Sequence, residues 1–268
     1  MKRTFIIGTR GSDLAMWQAK HVQAQLEKQG ISTEIKIIST QGDRVQDLPF
    51  DKMEGKGFFT KEIEAALIQE EIDIAVHSHK DLETTNPPGL CIAAVSEREN
   101  PLDLLLIRKE SCNPSANLKL KPGAVVGTSA ARRISQLQRY IDFSQIKMLR
   151  GNVPTRIQKL REKQYDAILI AAAGVERLKI DLSEFEVLPL VPDVFVPAPA
   201  QGSLGLQCRE NDKDCVKILG ELNNSPNEQI VRLERGVLKE LSGGCQVPLG
   251  VHAKKTASGF QVWLAYAS

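Results

Sequence analysis

Short apolar runs alternate with stretches of helical periodicity along this 268-residue chain. This alternation constrains the fold more than any other feature. A run of four to six apolar residues suits a strand buried on both faces, and the intervening amphipathic stretch suits a helix that covers it. A mainly parallel sheet flanked by helices is the expected result. Residues 4–8 read as the first strand. Ala15, Ala19, Val22 and Leu26 then recur at helical spacing, behind Ser12 or Asp13 as a cap. Strands are predicted at 34–39, 72–77 and 90–95, with a helix at 60–71.

The plan then repeats. A helix is predicted at 129–140, a strand at 146–149, a helix at 155–163 and a strand at 167–171. Ile6-Ile7-Gly8-Thr9-Arg10 is echoed by Val125-Val126-Gly127-Thr128-Ser129. Two α/β lobes of like design, with a cleft between them, are expected. Residues 97–103 and 191–201 are the candidate crossings, the second in a proline-rich stretch. Residues 204–207 read as a strand returning to the first lobe. The expected division is residues 1–100 with the return segment 201–222, then 101–200, then a smaller third α/β domain at 223–268. That third domain holds a helix at 228–241 and two strands, at 251–255 and 260–266.

Composition narrows the class. The 35 Lys and Arg nearly balance the 33 Asp and Glu, so no global basic field argues for nucleic acid. Phe5-Ile6-Ile7 is too short for a signal-peptide core, and no stretch is apolar enough to span a membrane. Five dispersed cysteines, an odd count, read as reduced thiols in a cytoplasmic protein. Cys91, Cys112, Cys208 and Cys215 read as structural or incidental.

Three groups of residues carry candidate chemistry. Arg10, Arg132, Arg133, Arg150, Arg156 and Arg177 all fall near predicted strand-to-helix junctions, where open α/β sheets bind ligands. Any one of them alone reads as a solvated surface charge. Six repeated placements argue for a cleft that holds a polycarboxylate, since the guanidinium fork matches a carboxylate. The second group is His77-Ser78-His79-Lys80-Asp81, just past a buried strand. Asp81 there reads either as an acid-base group or as a turn cap. The His77/His79 pair lacks the further ligands a metal needs, so no metal site is expected. The third is Cys245, behind Ser242-Gly243-Gly244 and before Gln246-Val247-Pro248-Leu249-Gly250. It is either a small buried hydrophobe or a thiol presented on a bare loop.

The segment from Glu234 to Gly250 resembles the cofactor-attachment segment of the hydroxymethylbilane synthase (porphobilinogen deaminase) family. Thr128-Ser129-Ala130-Ala131-Arg132-Arg133, Arg150-Gly151-Asn152, Thr155-Arg156, Gly55-Lys56-Gly57-Phe58 and the segment ending in Lys80-Asp81 resemble other family segments. The resemblance implies two periplasmic-binding-protein-like lobes and a third α/β domain. It implies a dipyrromethane cofactor joined to Cys245 through a thioether, and porphobilinogen as substrate. Four porphobilinogen units would be joined head to tail with loss of ammonia, giving linear hydroxymethylbilane for tetrapyrrole biosynthesis.

By the same resemblance Asp81 and Lys80 are the catalytic pair. Thr128, Ser129, Arg132 and Arg133 join them around the cofactor. Arg10, Ser12, Lys56, Arg150, Arg156 and Arg177 bind substrate, with Lys56 on a lid-like loop. No nucleic-acid or membrane partner is implied, and a monomer is expected.

Several positions depart from the family pattern. His79 stands where methionine is usual, and it is a second candidate for proton transfer. Ala130 and Ala200 replace a serine and a glycine, and Leu82-Glu83 replaces an apolar-proline pair. The resemblance implies a further strand and a long helix after Ser268, so the third domain is expected to be shorter here than in the family. Two rival readings stay open on residues alone: an inactive two-lobed anion-binding homologue, and a hydrolase with a cysteine nucleophile.

Overall fold

The computed structural model describes residues 3–44, 59–241 and 247–267. The chain begins with β1 (Thr4–Thr9), α1 (Asp13–Lys28), β2 (Ser32–Ile37), a single turn α2 (Gln41–Arg44), α3 (Lys61–Ile68), β3 (Ile74–Ser78) and β4 (Leu90–Val95). It crosses into β5 (Asp103–Arg108), β6 (Val126–Gly127), α4 (Ala131–Leu137), β7 (Ile146–Lys147), α5 (Val153–Arg161), β8 (Ala167–Ala171), α6 (Ala172–Leu178) and β9 (Phe185–Leu190). It returns through β10 (Leu204–Arg209) and α7 (Lys213–Gly220). It ends in α8 (Ser225–Glu240), β11 (Leu249–Thr256) and β12 (Gly259–Tyr266).

Two five-stranded sheets result, ordered β2-β1-β3-β10-β4 and β7-β6-β8-β5-β9. The two orders correspond: β6, β7, β8 and β9 stand where β1, β2, β3 and β4 stand. Each sheet is parallel except for one strand, β10 in the first and β5 in the second, which runs antiparallel to both neighbours. Those two strands are the ones that follow the crossings. Each lobe therefore receives its inner antiparallel strand from a crossing segment. The Gly-Thr echo lies at equivalent places, the ends of β1 and β6.

Local physics explains the elements. In α1, Ser12 caps the amide of Ala15 at 3.4 Å, and Gln18, Ala19, Val22 and Leu26 form the buried stripe. In α5, Asn152 accepts from Thr155 N at 2.9 Å and Pro154 occupies the first turn. In α8, Asn224 caps Asn227, and Val231, Glu234 and Leu238 face inward.

Some expectations move. The predicted 129–140 helix is confined to α4, and the 146–149 strand to two residues. Beyond β7 the chain is held instead by the Ser129 hydroxyl, which donates to Leu149 O at 2.6 Å and accepts from Leu149 N at 3.1 Å. β5, β9, α6 and α7 were not resolved by periodicity, since the apolar run at Leu104 merges with the crossing before it.

The crossings lie side by side. Glu99 N donates to Gly202 O at 3.1 Å, and Arg98 Nε donates to Gln201 O at 2.9 Å. Gly202 has φ +93°, and a Cβ there would sit 2.3 Å from the Glu99 carbonyl oxygen. Only glycine allows that approach. Ala200, two residues earlier, holds φ +60° with its methyl packed beside Val95 and Val231.

Candidate active site

β1 and β3 are adjacent and parallel, so their C-terminal ends open on the same side of the first sheet. Arg10 and Ser12 follow β1, and Ser78 ends β3. One 3-10 turn, His79–Asp81, then carries Lys80 and Asp81. An open pocket of about 480 Å³ lies here, lined by Arg10, Ser12, Gln18, His77, Ser78 and Asp81 among others. Asp81 is exposed. Gln18 Nε2 donates to Ser78 Oγ at 2.9 Å. The Arg10 guanidinium lies over the Phe59 ring, 4.1 Å from its centre. Gln18 and Ser78 were not singled out from the sequence, because a buried helix glutamine and a strand-end serine carry no distinctive spacing.

The second lobe supplies the cations. Arg132 and Arg133 lie in the first turn of α4, as expected, but they do not extend freely into the cleft. Arg132 Nη1 donates to Asp103 Oδ2 at 2.7 Å and to Val196 O at 2.8 Å. Arg133 Nη2 donates to Asp103 Oδ1 at 2.7 Å, and its Nη1 to Leu169 O at 2.9 Å. Asp103 is fully buried at the head of β5. Burial alone would raise its carboxyl, but the two guanidinium groups outweigh burial and hold it well below the usual carboxylate range. The Arg133 Nε is buried and has no hydrogen-bond partner.

Asp103 was missed from the sequence. The available signal was a carboxylate directly before the apolar run Leu104–Ile107.

Gln201, in the second crossing, joins the two lobes. Its Nε2 donates to Asp103 Oδ1 at 3.0 Å and to Pro101 O at 2.7 Å. Its Oε1 accepts from Lys80 Nζ at 3.1 Å. Burial pushes Lys80 down to about 8. Asp81 and Asp103 push it upward, while Arg133 and Arg132 add to the fall. Arg156 is pushed down to about 10 by burial, then by Arg133 and Arg150, with Asp81 opposing. Lys80, Arg132, Arg133 and Arg156 thus share one field, in which Asp81 and Asp103 are the counter-charges among the described residues. That surplus of positive charge, with an unpaired buried guanidinium nitrogen, fits a polycarboxylate such as dipyrromethane.

As pH rises through about 8 the free protein loses the Lys80 charge, so affinity for a polycarboxylate should begin to weaken there. Calorimetric titration of the Cys245→Ser protein with a dicarboxylic pyrrole checks this. Lys80→Met should remove the inflection, and an unchanged inflection would assign it elsewhere.

The remaining candidates divide. Thr128 Oγ1 accepts from Ala130 N at 3.4 Å, at the start of α4. Arg156 Nε donates to Gly151 O at 2.7 Å, and Lys159 Nζ to Arg150 O at 3.2 Å, so α5 anchors the loop that carries Arg150.

Arg177 departs from the expectation. It lies in the last turn of α6, not at a strand-to-helix junction. It does not line the Asp81 pocket. Its Nη2 donates to Gly202 O at 2.7 Å and its guanidinium lies 5.6 Å from the Trp17 ring centre, in a second hollow with His21 and Glu99. Lys56 and Cys245 lie outside the described residues.

His79 also departs from its expected part. It is buried, and burial, then Arg235 and His77, push it down to about 3. Its Nδ1 is sealed from solvent without a partner, and its ring packs against Gly205. A group in that setting stays neutral and does not reach the pocket that Asp81 lines. His79→Met removes a buried unsatisfied atom and should stabilise the fold by about 1 kcal/mol. Urea denaturation reads the gain, and ammonia release should be unchanged. A loss of turnover would restore His79 to the chemistry.

The third region grips this site. Glu234, fully buried on α8, accepts from Arg98 Nη1 and Nη2 at 2.8 and 3.1 Å, from Ala200 N at 2.7 Å and from Ala253 N at 2.8 Å. The next residue, Arg235, donates through Nη1 to His79 O at 3.0 Å and to Leu82 O at 3.2 Å, and through Nη2 to Glu83 O. One helix therefore holds both crossings and the turn that carries Asp81.

Comparison with known proteins bears on this geometry. The family profile "Porphobilinogen deaminase, dipyromethane cofactor binding domain" matches residues 5–217, and "Porphobilinogen deaminase, C-terminal domain" matches residues 229–266. The chain belongs to the porphobilinogen deaminase family. It is thus a transferase of the hydroxymethylbilane synthase type, and its larger matched region is the dipyrromethane-binding domain.

Among family members, the porphobilinogen deaminase of Syntrophomonas wolfei is 45% identical over 249 residues, 92% of this chain and 79% of that protein. That of Sulfurimonas denitrificans is 44% identical over 260 residues, 96% of this chain and 81% of that protein. That of Gloeobacter violaceus is 43% identical over 262 residues, 97% and 79% of the two chains. Of solved structures, the Bordetella pertussis BvgS periplasmic VFT2 domain is similar with TM-score 0.49 and 14% identity, covering 87% of this chain and 92% of that one. Among the described residues, no helix is long and apolar enough to cross a membrane, and no cluster of three His, Cys, Asp or Glu side chains is arranged for a metal.

Proposed function

We propose that porphobilinogen binds beside Asp81 and is deaminated there, with Asp81 as the catalytic residue. The observation that carries this reading is a single pocket that joins Asp81 to Arg10 and Ser12, next to the cationic field of Lys80, Arg132, Arg133 and Arg156. Arg10 and Ser12 take substrate carboxylates. Asp81 faces the aminomethyl group and the pyrrole N–H. As the carbon–nitrogen bond breaks, ammonia leaves and positive charge spreads over the pyrrole. A fixed carboxylate stabilises that charge and assists transfer of the proton. Bound dipyrromethane supplies the pyrrole carbon on which the chain is extended.

Lys80, Arg132, Arg133 and Arg156 hold the carboxylates of the dipyrromethane, and Arg150 and Lys56 bind those of the substrate. Thr128 and Ser129 shape the start of α4, where Arg132 and Arg133 sit. Asp103 and Gln201 keep the arginine forks and Lys80 in register across the lobes. Arg177 braces the crossings from the far side of α1. Cys245 carries the thioether, in the stretch of sequence that follows α8.

Intact-mass spectrometry of protein from cells supplied with porphobilinogen tests the attachment. The parent should exceed its polypeptide mass by two pyrrole units, and Cys245→Ser should not. A bare polypeptide mass in the parent would remove Cys245 from this role.

A further inference from the structure

His77 lines the Asp81 pocket and is only 5% exposed. Behind it runs a line of polar groups, buried at Gln207 and half-buried at Glu64, that the reaction as described does not use. His77 Nε2 lies 3.0 Å from Gln207 Oε1, and Gln207 Nε2 lies 3.0 Å from Glu64 Oε1. Gln207 is fully buried on β10, diagonal to His77 on β3 and next to a register shift in its pairing with β4. Such a line of groups is costly to bury unless every donor meets an acceptor.

Donor and acceptor chemistry fixes its direction. An ionised carboxylate only accepts, so Gln207 gives its NH₂ to Glu64 and turns its oxygen to His77. An amide oxygen also only accepts, so the His77 proton must sit on Nε2. Nδ1 is then a lone-pair acceptor. No other side-chain hydrogen bond is made by His77 among the described residues, and the residue lines the pocket that Asp81 shares. With Nε2 committed to the line of Gln207 and Glu64, Nδ1 is the ring nitrogen left for a ligand in the pocket that His77 lines.

We propose that His77 is a substrate-binding residue whose Nδ1 accepts a hydrogen bond from the aminomethyl ammonium of the substrate, and that Gln207 and Glu64 are positioning residues that hold it in the accepting tautomer. The proposal rests on the reading that porphobilinogen occupies the Asp81 pocket. Burial pushes His77 down to about 4, so the ring stays neutral and does not repel an ammonium. Its lone pair is unsuited to a carboxylate, which leaves those groups to Arg10. Burial pushes the Glu64 carboxyl upward, with Gln207 opposing, Glu83 adding to the rise and Thr60 opposing; in its ionised form it accepts from Gln207 and enforces the tautomer.

Nitrogen-15 NMR of histidine-labelled parent protein tests the tautomer, with the His77 signal assigned by its loss in His77→Asn. The proton is expected on Nε2, and a proton on Nδ1 overturns the proposal. Kinetics test the contact. His77→Gln keeps a group for Gln207 but loses the Nδ1 position. Its KM for porphobilinogen should rise about tenfold, the value of one hydrogen bond to a charged group. The inhibition constant of a pyrrole with the same acetate and propionate but no aminomethyl group should not change. Equal weakening of both ligands would mean a structural role or a contact to the pyrrole N–H, and would overturn the proposal.

His77→Asn, whose oxygen lies near the Nδ1 position, should recover part of the KM. Glu64→Gln frees the direction of the line, so it should give mixed tautomers and a smaller rise in KM; a single Nε2–H tautomer there would remove Glu64 from the device. A parent that releases no ammonia from porphobilinogen would instead overturn the proposed function, while the tautomer is read in the free protein regardless.

Discussion

Asp81→Asn should release ammonia from porphobilinogen about 10²–10⁴-fold more slowly than the parent, with little change in melting temperature or in binding of a substrate analogue. Asp81 is exposed at the pocket, and none of the observed contacts that hold its turn uses its carboxylate. The turn is held from behind, by Arg235 on the carbonyls of His79, Leu82 and Glu83. Asparagine keeps the shape and removes the charge. The charge matters most where positive charge develops during bond breaking, so kcat should fall far more than affinity. Single-turnover assays with cofactor already in place give the decisive rate. A rate within a few-fold of the parent would remove Asp81 from the chemistry.

Glu234→Leu should destabilise the protein by about 3–5 kcal/mol, the cost of leaving a buried charge without its partner. Glu234 is fully buried and Arg98 nearly so, and the same carboxylate serves the amides of Ala200 and Ala253. Its removal leaves a buried guanidinium and two backbone donors unsatisfied at the point where both crossings meet α8. Arg98→Met combined with Glu234→Leu should lose less than the sum of the two single changes, because no isolated charge remains. Chemical denaturation of the four proteins measures the difference. A loss under about 1 kcal/mol for Glu234→Leu would show that the crossings are held by other contacts.

Much of this molecule follows from its sequence, for a physical reason. Burial on two faces leaves an uninterrupted apolar run, and burial on one helical face leaves a repeat of three to four residues. Both signals are local. They located β1, β3, β4, β8, α1 and α8, and with them the strand ends that carry Arg10 and Asp81. The family segments around Lys80, Arg132, Arg156 and Cys245 were legible for a related reason, since each is a short contiguous stretch.

Tertiary structure alone decided the partners. Periodicity reports that a residue is buried, not against what. The return of the chain to the first lobe at 204–207 was legible, but the antiparallel placement of β10 and β5 inside each sheet was invisible. So were the pairing of Arg132 and Arg133 with Asp103, about thirty residues away, and that of Arg98 with Glu234, 136 residues away. Arg177 shows the same limit from the other side. Its sequence position resembles that of its fellow arginines, yet it faces Trp17 and the crossing backbone instead of the pocket. A charge declares its type in the sequence. Its counter-charge, and hence its burial and its work, exist only once distant strands are brought side by side.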